Sequence, residues 1–148
     1  INTKNVHRTN FLLGHPYGTD FKYDEMMLTS PGDAGRAAAN AALEFMKNPF
    51  GSKPPKPGEG PTKEERDNGF YDVLFIGEYP DGTSIRASVQ GDRDPGYGST
   101  SKMISEAAIC LLQDATQTPG GIWTPASSMG QKLIDRLQAH AGLTFRVE

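Results

Sequence analysis

Apolar positions recur at helical spacing in three segments, and each segment opens with the same kind of residue pair. A side chain able to cap a helix stands directly before a proline at Ser30-Pro31, Asp94-Pro95 and Thr124-Pro125, and proline fits the first helical position. Apolar residues then follow at intervals of three and four, namely Ala34, Ala38, Ala41 and Phe45; Met103, Ile104, Ala107, Ala108 and Leu111; Met129, Leu133, Leu137 and Ala141. We therefore predict three helices. The second is expected to be the most buried because it is apolar almost all round, and Gly142 is expected to end the third.

The other apolar segments carry strand signals. Residues 71–79 and 83–90 flank the turn sequence Pro80-Asp81-Gly82, which predicts a β-hairpin. Further strands are predicted at 5–13 and 20–28, as a pair around His15-Pro16-Tyr17-Gly18, and at 121–123 and 143–147. Antiparallel strand pairs with helices between them indicate an α+β fold, with a largely antiparallel sheet of about four to six strands and three helices packed on it.

One domain is expected over residues 1–148. It is interrupted by a predicted surface loop at 48–62, a segment that holds five prolines and three glycines. The chain begins at Ile1, close to a segment already predicted as a strand, which favours a further domain upstream.

Composition narrows the classes of function. The net charge is −3, with acids and bases mixed along the chain, which argues against nucleic acid or an anionic membrane surface as a partner. No apolar stretch approaches the roughly 20 residues of a membrane span. The single cysteine, Cys110, lies in an apolar run, so we interpret it as a core residue in a reduced, cytoplasmic protein. The histidines are scattered without carboxylates or cysteines at ligand spacing, and no metal site is predicted.

The segment GDRDPGYGSTSK at residues 91–102 raises the question of a phosphate-binding loop. It departs from G-x-x-x-x-G-K-[ST], and a serine stands where a dinucleotide fingerprint needs its third glycine. Two aspartates in the loop would also repel pyrophosphate. We favour a structural interpretation in which Gly91 ends a strand, Asp94 caps a helix and Pro95 begins it. The alternative is that this helix start, next to Asp92, Arg93 and Tyr97, lines a pocket that belongs to a neighbouring domain.

Polar side chains are densest at the start of the chain. The candidate substrate-binding residues there and at the glycine-rich loop are Asn5, His7, Arg8, Asn10, Tyr17, Tyr23 and Tyr97. Strand alternation would place Asn5, His7 and Thr9 on one face, with Arg8 and Asn10 on the other. An exposed strand face is one interpretation, and a substrate or interdomain surface is the other. On the second, Arg8 is the candidate anchor for an anion or carbonyl, and the tyrosines are candidate hydrogen-bond or proton donors.

The sequences PGEGP, GDRDPGYG and GGIWTPAS occur in this order, inside four longer blocks that begin at residues 5, 55, 89 and 120. Together these blocks resemble saccharopine dehydrogenase-like oxidoreductases, the group that includes trans-acting enoyl reductases of lipid synthesis. The resemblance covers nearly the whole chain and implies a C-terminal substrate and dimerisation domain that follows an N-terminal Rossmann domain. NAD(P) would belong to that Rossmann domain, so no cofactor is expected on this chain. The resemblance assigns no catalytic residue here.

The leading hypothesis is a C-terminal, substrate-side domain of an NAD(P)-dependent oxidoreductase that reduces a carbonyl, imine or enoyl compound. Without its cofactor domain it is not expected to transfer hydride. The alternative is an oligomerisation or interaction domain with no direct role in chemistry. A free-standing enzyme is disfavoured because no nucleophile, metal set or acid–base pair is evident. The expected partners are the Rossmann domain of the same protein, a small-molecule substrate and a second copy in a homodimer.

Overall fold

The computed structural model describes residues 2–49 and 56–148. The chain forms two units, one made of Ile1–Asp20 with Pro61–Glu148 and the other of Phe21–Gly60. In chain order the elements are α1 (Asn2–Leu12), α2 (Gly32–Lys47), α3 (Lys63–Asn68), β1 (Tyr71–Glu78), β2 (Ser84–Gly91), α4 (Gly98–Gln113), α5 (Pro125–Met129), α6 (Gln131–His140) and β3 (Leu143–Val147). Helix α2 belongs to the second unit, and the other elements belong to the first.

The predicted hairpin of β1 and β2 is confirmed, and it forms most of a three-strand antiparallel sheet in the order β1-β2-β3. Strands β1 and β2 pair along their full length, with Tyr71 opposite Gly91, and the predicted strand β3 pairs with residues 87–91 of β2. Gly82 closes the hairpin at a φ of 85°, a conformation that glycine adopts without steric cost. The α+β class is therefore confirmed. The prediction of about four to six strands is wrong for the described residues, which contain three.

The other predicted strands are wrong. Residues 5–12 lie in helix α1, and residues 20–28 form neither helix nor strand. Residues 121–123 also form no strand. The predicted loop at 48–62 is irregular over residues 56–62, while residues 50–55 lie outside the described part of the chain.

Six helices are described rather than three. Thr124 opens α5 as predicted, because its side chain accepts a hydrogen bond from the backbone N–H of Ser127 and caps the first turn. The predicted third helix is divided into α5 and α6 at Gly130, whose φ is 52°. Gly142 follows the end of α6 at a φ of 74°, as a helix stop of this kind requires.

The two remaining helix starts differ from the prediction. The cap residue of α2 is Pro31, with no side-chain hydrogen bond, so the predicted Ser30 cap is wrong. Helix α4 begins at Gly98 rather than at Pro95, which lies in a turn before the helix. The physical reason is that Asp94 organises that turn before the helical pattern of hydrogen bonds begins.

The core of the first unit lies between α4, α5, α6 and one face of the sheet. Its buried apolar residues are Cys110, Ala115, Met129, Leu137, Ala141 and Leu143, and Leu133 packs against both halves of this group. Cys110 is thus confirmed as a core residue, and burial raises the pKa of its thiol. Helix α4 is not buried all round, because Ile104 is 69% exposed and Leu112 is 78% exposed.

Candidate functional site

The glycine-rich loop holds an anion, but the anion is one of its own side chains. The carboxylate of Asp94 accepts hydrogen bonds from the backbone N–H groups of Gly96 at 2.9 Å, Tyr97 at 3.1 Å and Gly98 at 2.5 Å. These bonds, that of Gly98 first, lower the pKa of the Asp94 carboxyl below its usual value. The donors that would cradle a phosphate are therefore already occupied, which supports the structural interpretation of this loop.

The other charged residues of this loop are also used within the fold. Arg93 forms an ion pair with Asp67 of α3, and the N–H of Asp94 donates to the carbonyl of Arg66 at 3.1 Å. The carboxylate of Asp92 lies so close to Gly142 that any side chain at that glycine would overlap it. A nicotinamide dinucleotide does not fit this loop, because its pyrophosphate would meet two aspartates and no free cradle.

The start of the chain is a helix, and this changes which side chains act together. Arg8 and Thr9 were predicted on opposite faces of a strand, but on α1 both reach the segment before α5. The guanidinium of Arg8 donates to the carbonyl of Ile122 at 2.9 Å, and the hydroxyl of Thr9 lies 2.7 Å from that of Thr124. The structure thus joins residue 8 to residue 122 across more than a hundred positions of sequence.

A chain of hydroxyl groups fixes α1 to α5. Thr9 donates to the carbonyl of Asn5 at 2.8 Å, so in the contact with Thr124 the Thr9 oxygen acts as acceptor. The hydroxyl of Thr124 lies 2.9 Å from that of Ser127, within the cap of α5. Thr9 and Thr124 are both buried. Buried hydroxyls are costly unless they are paired, so this network stabilises one particular placement of α1.

Asn10 is a structural residue in this arrangement. It is buried, its side-chain amide donates to the carbonyl of Gly18 at 2.8 Å, and its side-chain oxygen accepts from the N–H of Tyr17 at 2.9 Å. Its own carbonyl accepts from His15 at 2.7 Å. Asn10 therefore holds the turn that follows α1, and its polar atoms are directed into that turn rather than toward a ligand.

Arg8 remains the strongest candidate for ligand contact. A guanidinium carries five N–H donors. Within the described residues one hydrogen bond is found for Arg8, to the carbonyl of Ile122, and this leaves other donors for a ligand. Ile122 itself is 81% exposed, so apolar surface lies beside the charge. Tyr17, on the turn held by Asn10, is about half exposed. A planar cation beside apolar surface can bind a carbonyl or anionic group on a mostly apolar molecule.

The remaining predicted site residues, which are Asn5, His7, Tyr97 and Tyr23, do not together form one cluster with Arg8 in sequence or secondary structure. Asn5 and His7 are both exposed on α1, and the backbone carbonyl of Asn5 accepts the hydrogen bond from the Thr9 hydroxyl. Tyr97 stands at the start of α4 with an exposed side chain. Tyr23 belongs to the second unit; burial, followed by the charge of Glu25 and a hydrogen bond with its side chain, raises the pKa of Tyr23.

Two shallow cavities of the first unit contain none of the predicted residues. One, of about 360 Å³, lies at the end of the sheet and is lined by Tyr71, Asp72, Gln90, Asp92 and Thr144 among others. The second, of about 470 Å³, lies beside α6 and is lined by Asp114, Lys132, Arg136 and His140 among others. Arg136 there is held by ion pairs with Glu106 at 3.1 Å and Asp114 at 3.2 Å, so its charge stabilises the packing of α4 on α6.

Residues 2–49 and 56–148 contain no group of three or more His, Cys, Asp and Glu side chains arranged to hold a metal ion. None of the described helices combines the length and the apolar content that crossing a membrane requires.

Sequence reasoning missed the pairing of Thr9 with Thr124 and the contact of Arg8 with Ile122. Each depends on α1 being a helix, in which residues four apart share a face. The Thr124 cap itself was predicted from the sequence. A helical interpretation of residues 2–12 would have placed Asn5, Arg8 and Thr9 on one face and shown that this face needed a polar partner.

The chain is similar to mycobacterial proteins named as trans-acting enoyl reductases. It is 33% identical to a candidate trans-acting enoyl reductase of Mycobacterium tuberculosis strain H37Rv, over 162 aligned positions that cover 98% of this chain and 38% of the relative. The trans-acting enoyl reductases of Mycobacterium ulcerans and Mycobacterium bovis BCG are 29% and 28% identical, over 93% of this chain and 37% of their own length. No protein-family model matches the chain, and no solved structure matches it significantly.

The chain thus spans somewhat more than a third of the length of these relatives. The predicted resemblance to trans-acting enoyl reductases is confirmed. The chain is an α+β protein that is similar to proteins named as trans-acting enoyl reductases. The wider saccharopine dehydrogenase-like grouping stays a prediction.

Proposed function

We propose that this chain is the substrate-side, C-terminal part of an NAD(P)-dependent, saccharopine dehydrogenase-like oxidoreductase of the enoyl reductase type. Its partner within the same protein would be an N-terminal Rossmann domain, which would hold the nicotinamide cofactor that supplies hydride. By itself the chain would bind and orient the substrate without reducing it. A cytoplasmic location is a further expectation of this proposal.

The observation that carries the proposal is the extent of the similarity. Nearly all of this chain aligns with relatives named as enoyl reductases, yet it accounts for only 38% of the length of one of them. The glycine-rich loop adds support, because its backbone donors are occupied by Asp94 and leave no cradle for a dinucleotide. The cofactor site is therefore expected in the part of such a protein that this chain does not represent.

Within this role, Arg8 would bind the carbonyl oxygen of the substrate. Reduction of an enoyl compound places negative charge on that oxygen, and a guanidinium held in a fixed position stabilises such charge without reorganising. The Ile122 carbonyl supplies that fixed position. Tyr17 lies on the turn held by Asn10 and is the candidate for a second hydrogen bond to the same oxygen.

The test uses a protein in which this chain is joined to the upstream cofactor domain, with an α,β-unsaturated thioester as substrate and the consumption of NADPH as the readout. We expect Arg8→Ala to lower kcat/KM by about 10- to 100-fold, the loss typical of a hydrogen bond to a charged group. Arg146→Ala removes an exposed arginine from β3 and serves as the matched control, with unchanged kinetics.

The Arg8 variant also loses its bond to Ile122, so its fold is checked by circular dichroism and thermal unfolding. Arg8→Lys retains a positive charge without the planar fork and is expected to recover part of the activity. Equal kinetics for Arg8→Ala and Arg146→Ala would remove Arg8 from the site. An absence of NADPH consumption by the joined protein with every enoyl, carbonyl and imine substrate tried would contradict the proposed activity.

A further inference from the structure

Strand β1 forms an edge of the sheet, and the hydrogen bonds at both ends of the sheet fix which of its residues face outward. Tyr79 donates to the carbonyl of Thr83 at 2.9 Å, and Glu148 donates to that of Arg86 at 2.9 Å. Because bonding pairs alternate along antiparallel strands, the odd-numbered residues of β1 bond to β2. The backbone N–H and C=O groups of the even-numbered residues, which are Asp72, Leu74, Ile76 and Glu78, therefore point away from the sheet. Within the described residues no backbone partner is found for them.

This edge lacks several of the usual protections against pairing with another strand, and its charged residues, Asp72 and Glu78, stand near its two ends. The sequence YDVLFIGE contains no proline and no lysine, and its eight residues pair with β2 without a bulge. Large apolar side chains are exposed on both faces: Val73, Leu74, Phe75 and Ile76 are 42%, 41%, 45% and 56% exposed. An open edge of this length and apolar content is a surface for strand addition.

We propose that the occupant is a second copy of the same strand, paired antiparallel about a two-fold axis that passes beside Leu74. Leu74 then lies opposite Leu74 of the second copy, Val73 opposite Phe75, and Asp72 opposite Ile76. The outward-facing residues meet one another and form about six backbone hydrogen bonds between the copies. Two three-strand sheets become one sheet of six strands, with a closed, isologous interface.

Charge and strand length disfavour two registers that are shifted toward the hairpin turn. Shifting the axis to Phe75 would place Asp72 of each copy opposite Glu78 of the other, and like charges directly opposite one another are destabilising. Shifting it to Ile76 would bring Asp72 opposite Pro80, which has no N–H to donate, and would shorten the paired segment. The register centred on Leu74 pairs residues 71–77 and places each carboxylate opposite an apolar side chain. In this register the outward edge of β1 is complementary to the same edge of a second copy in its hydrogen-bonding groups, and like charges do not lie opposite one another.

The test compares two lysine substitutions in the 148-residue chain, with mass measured by light scattering and sedimentation across micromolar to millimolar concentrations. Leu74 and Ile76 point to the same face of the sheet and have similar exposure. Leu74→Lys would place two lysines opposite each other at the axis, so we expect the dimer to be lost. Ile76→Lys would place each lysine opposite Asp72 of the other copy, so we expect the dimer to remain. Circular dichroism confirms that both variants fold.

Two cysteine substitutions test the same register without adding charge. At the axis the Cα atoms of a bonded pair lie about 5.5 Å apart, within the range that a disulfide spans. We expect oxidised Leu74→Cys to form a covalent dimer on a non-reducing gel and Ile76→Cys to remain uncrosslinked. The native Cys110 is fully buried and gives a low background.

A wild-type chain that stays monomeric at every concentration would overturn the proposal. So would equal effects of the two lysine substitutions, because a strand from another part of a longer protein would not distinguish the two positions in this way. Equal crosslinking of the two cysteine variants would refute the register.

Discussion

The buried hydroxyl pair of Thr9 and Thr124 provides a direct measure of whether α1 is placed as described. Replacing Thr124 by Val preserves the shape of the side chain but removes its hydroxyl. The variant therefore loses the cap of α5 and the hydrogen bond that the Thr124 hydroxyl donates to the Thr9 oxygen. Loss of a helix cap costs about 0.5–2 kcal/mol, and a hydrogen bond about 0.5–1.5 kcal/mol. We therefore expect the free energy of unfolding to fall by about 2 kcal/mol and the midpoint of thermal unfolding by roughly 4–8 °C.

The decisive quantity is the coupling between the two positions. Thr9→Val, Thr124→Val and the double variant form a cycle, and urea unfolding can be followed by the fluorescence of Trp123, the single tryptophan of the chain, which is adjacent to the cap. We expect the double variant to lose about 1 kcal/mol less than the sum of the single losses. Thr124→Ser keeps the hydroxyl and is the control. Additive losses, within about 0.3 kcal/mol, would show that the two hydroxyls do not meet, and the placement of Arg8 would fail with them.

Two further predictions concern the glycine-rich loop and its strand. Gly91→Ala would drive a methyl group into the ring of Tyr71, whose hydroxyl lies 2.9 Å from the buried Ser99 hydroxyl. Denaturant unfolding should show a loss of about 1–3 kcal/mol, whereas Gly120→Ala, with open space around it, should be nearly neutral; a neutral Gly91→Ala would contradict the close approach. For Asp94, whose pKa is lowered in the folded chain, the stabilisation is present above the unfolded pKa of about 3.9 and is lost as the pH falls through the folded value. The unfolding midpoint of Asp94→Ala should therefore lie below that of the wild type at neutral pH and approach it at acidic pH, and a constant difference would show that the carboxylate charge plays no part.

The hairpin was predictable because its signal is local. The turn sequence Pro80-Asp81-Gly82 and the apolar strands beside it are adjacent in sequence, so a short stretch of residues specifies the pairing. The cap at Thr124 was predictable for the same reason, whereas the predicted cap at Asp94 is wrong, because Tyr97 is the cap residue of α4 and its side chain forms no capping bond. Reasoning from the sequence placed the start of α4 too early. The side chain of Asp94 organises a turn that precedes the helix, and the same residue type is common at the start of a helix.

Helix α1 was missed because its residues have low intrinsic preference for a helix. Asn, Thr and His account for six of the eleven residues of this helix, and all three are weak helix formers. Two of the groups that stabilise the helix, the Ile122 carbonyl and the Thr124 hydroxyl, are distant in sequence, and the third is the turn held by Asn10 directly after the helix. The apolar side of α4 was misjudged in a related way, since a run of apolar residues does not reveal how much surface is available to cover it.

The self-occupied loop before α4 also explains why glycine content is a poor guide to nucleotide binding in this chain. A free phosphate would have to displace a carboxylate that is tethered within the same few residues. Tethering gives such a competitor an effective concentration on the order of millimolar or more. Only a ligand present at a comparable level, or one with far stronger contacts elsewhere, could compete for these backbone amides. The loop therefore disfavours the binding of other anions, because the Asp94 carboxylate already accepts the hydrogen bonds of its backbone amides.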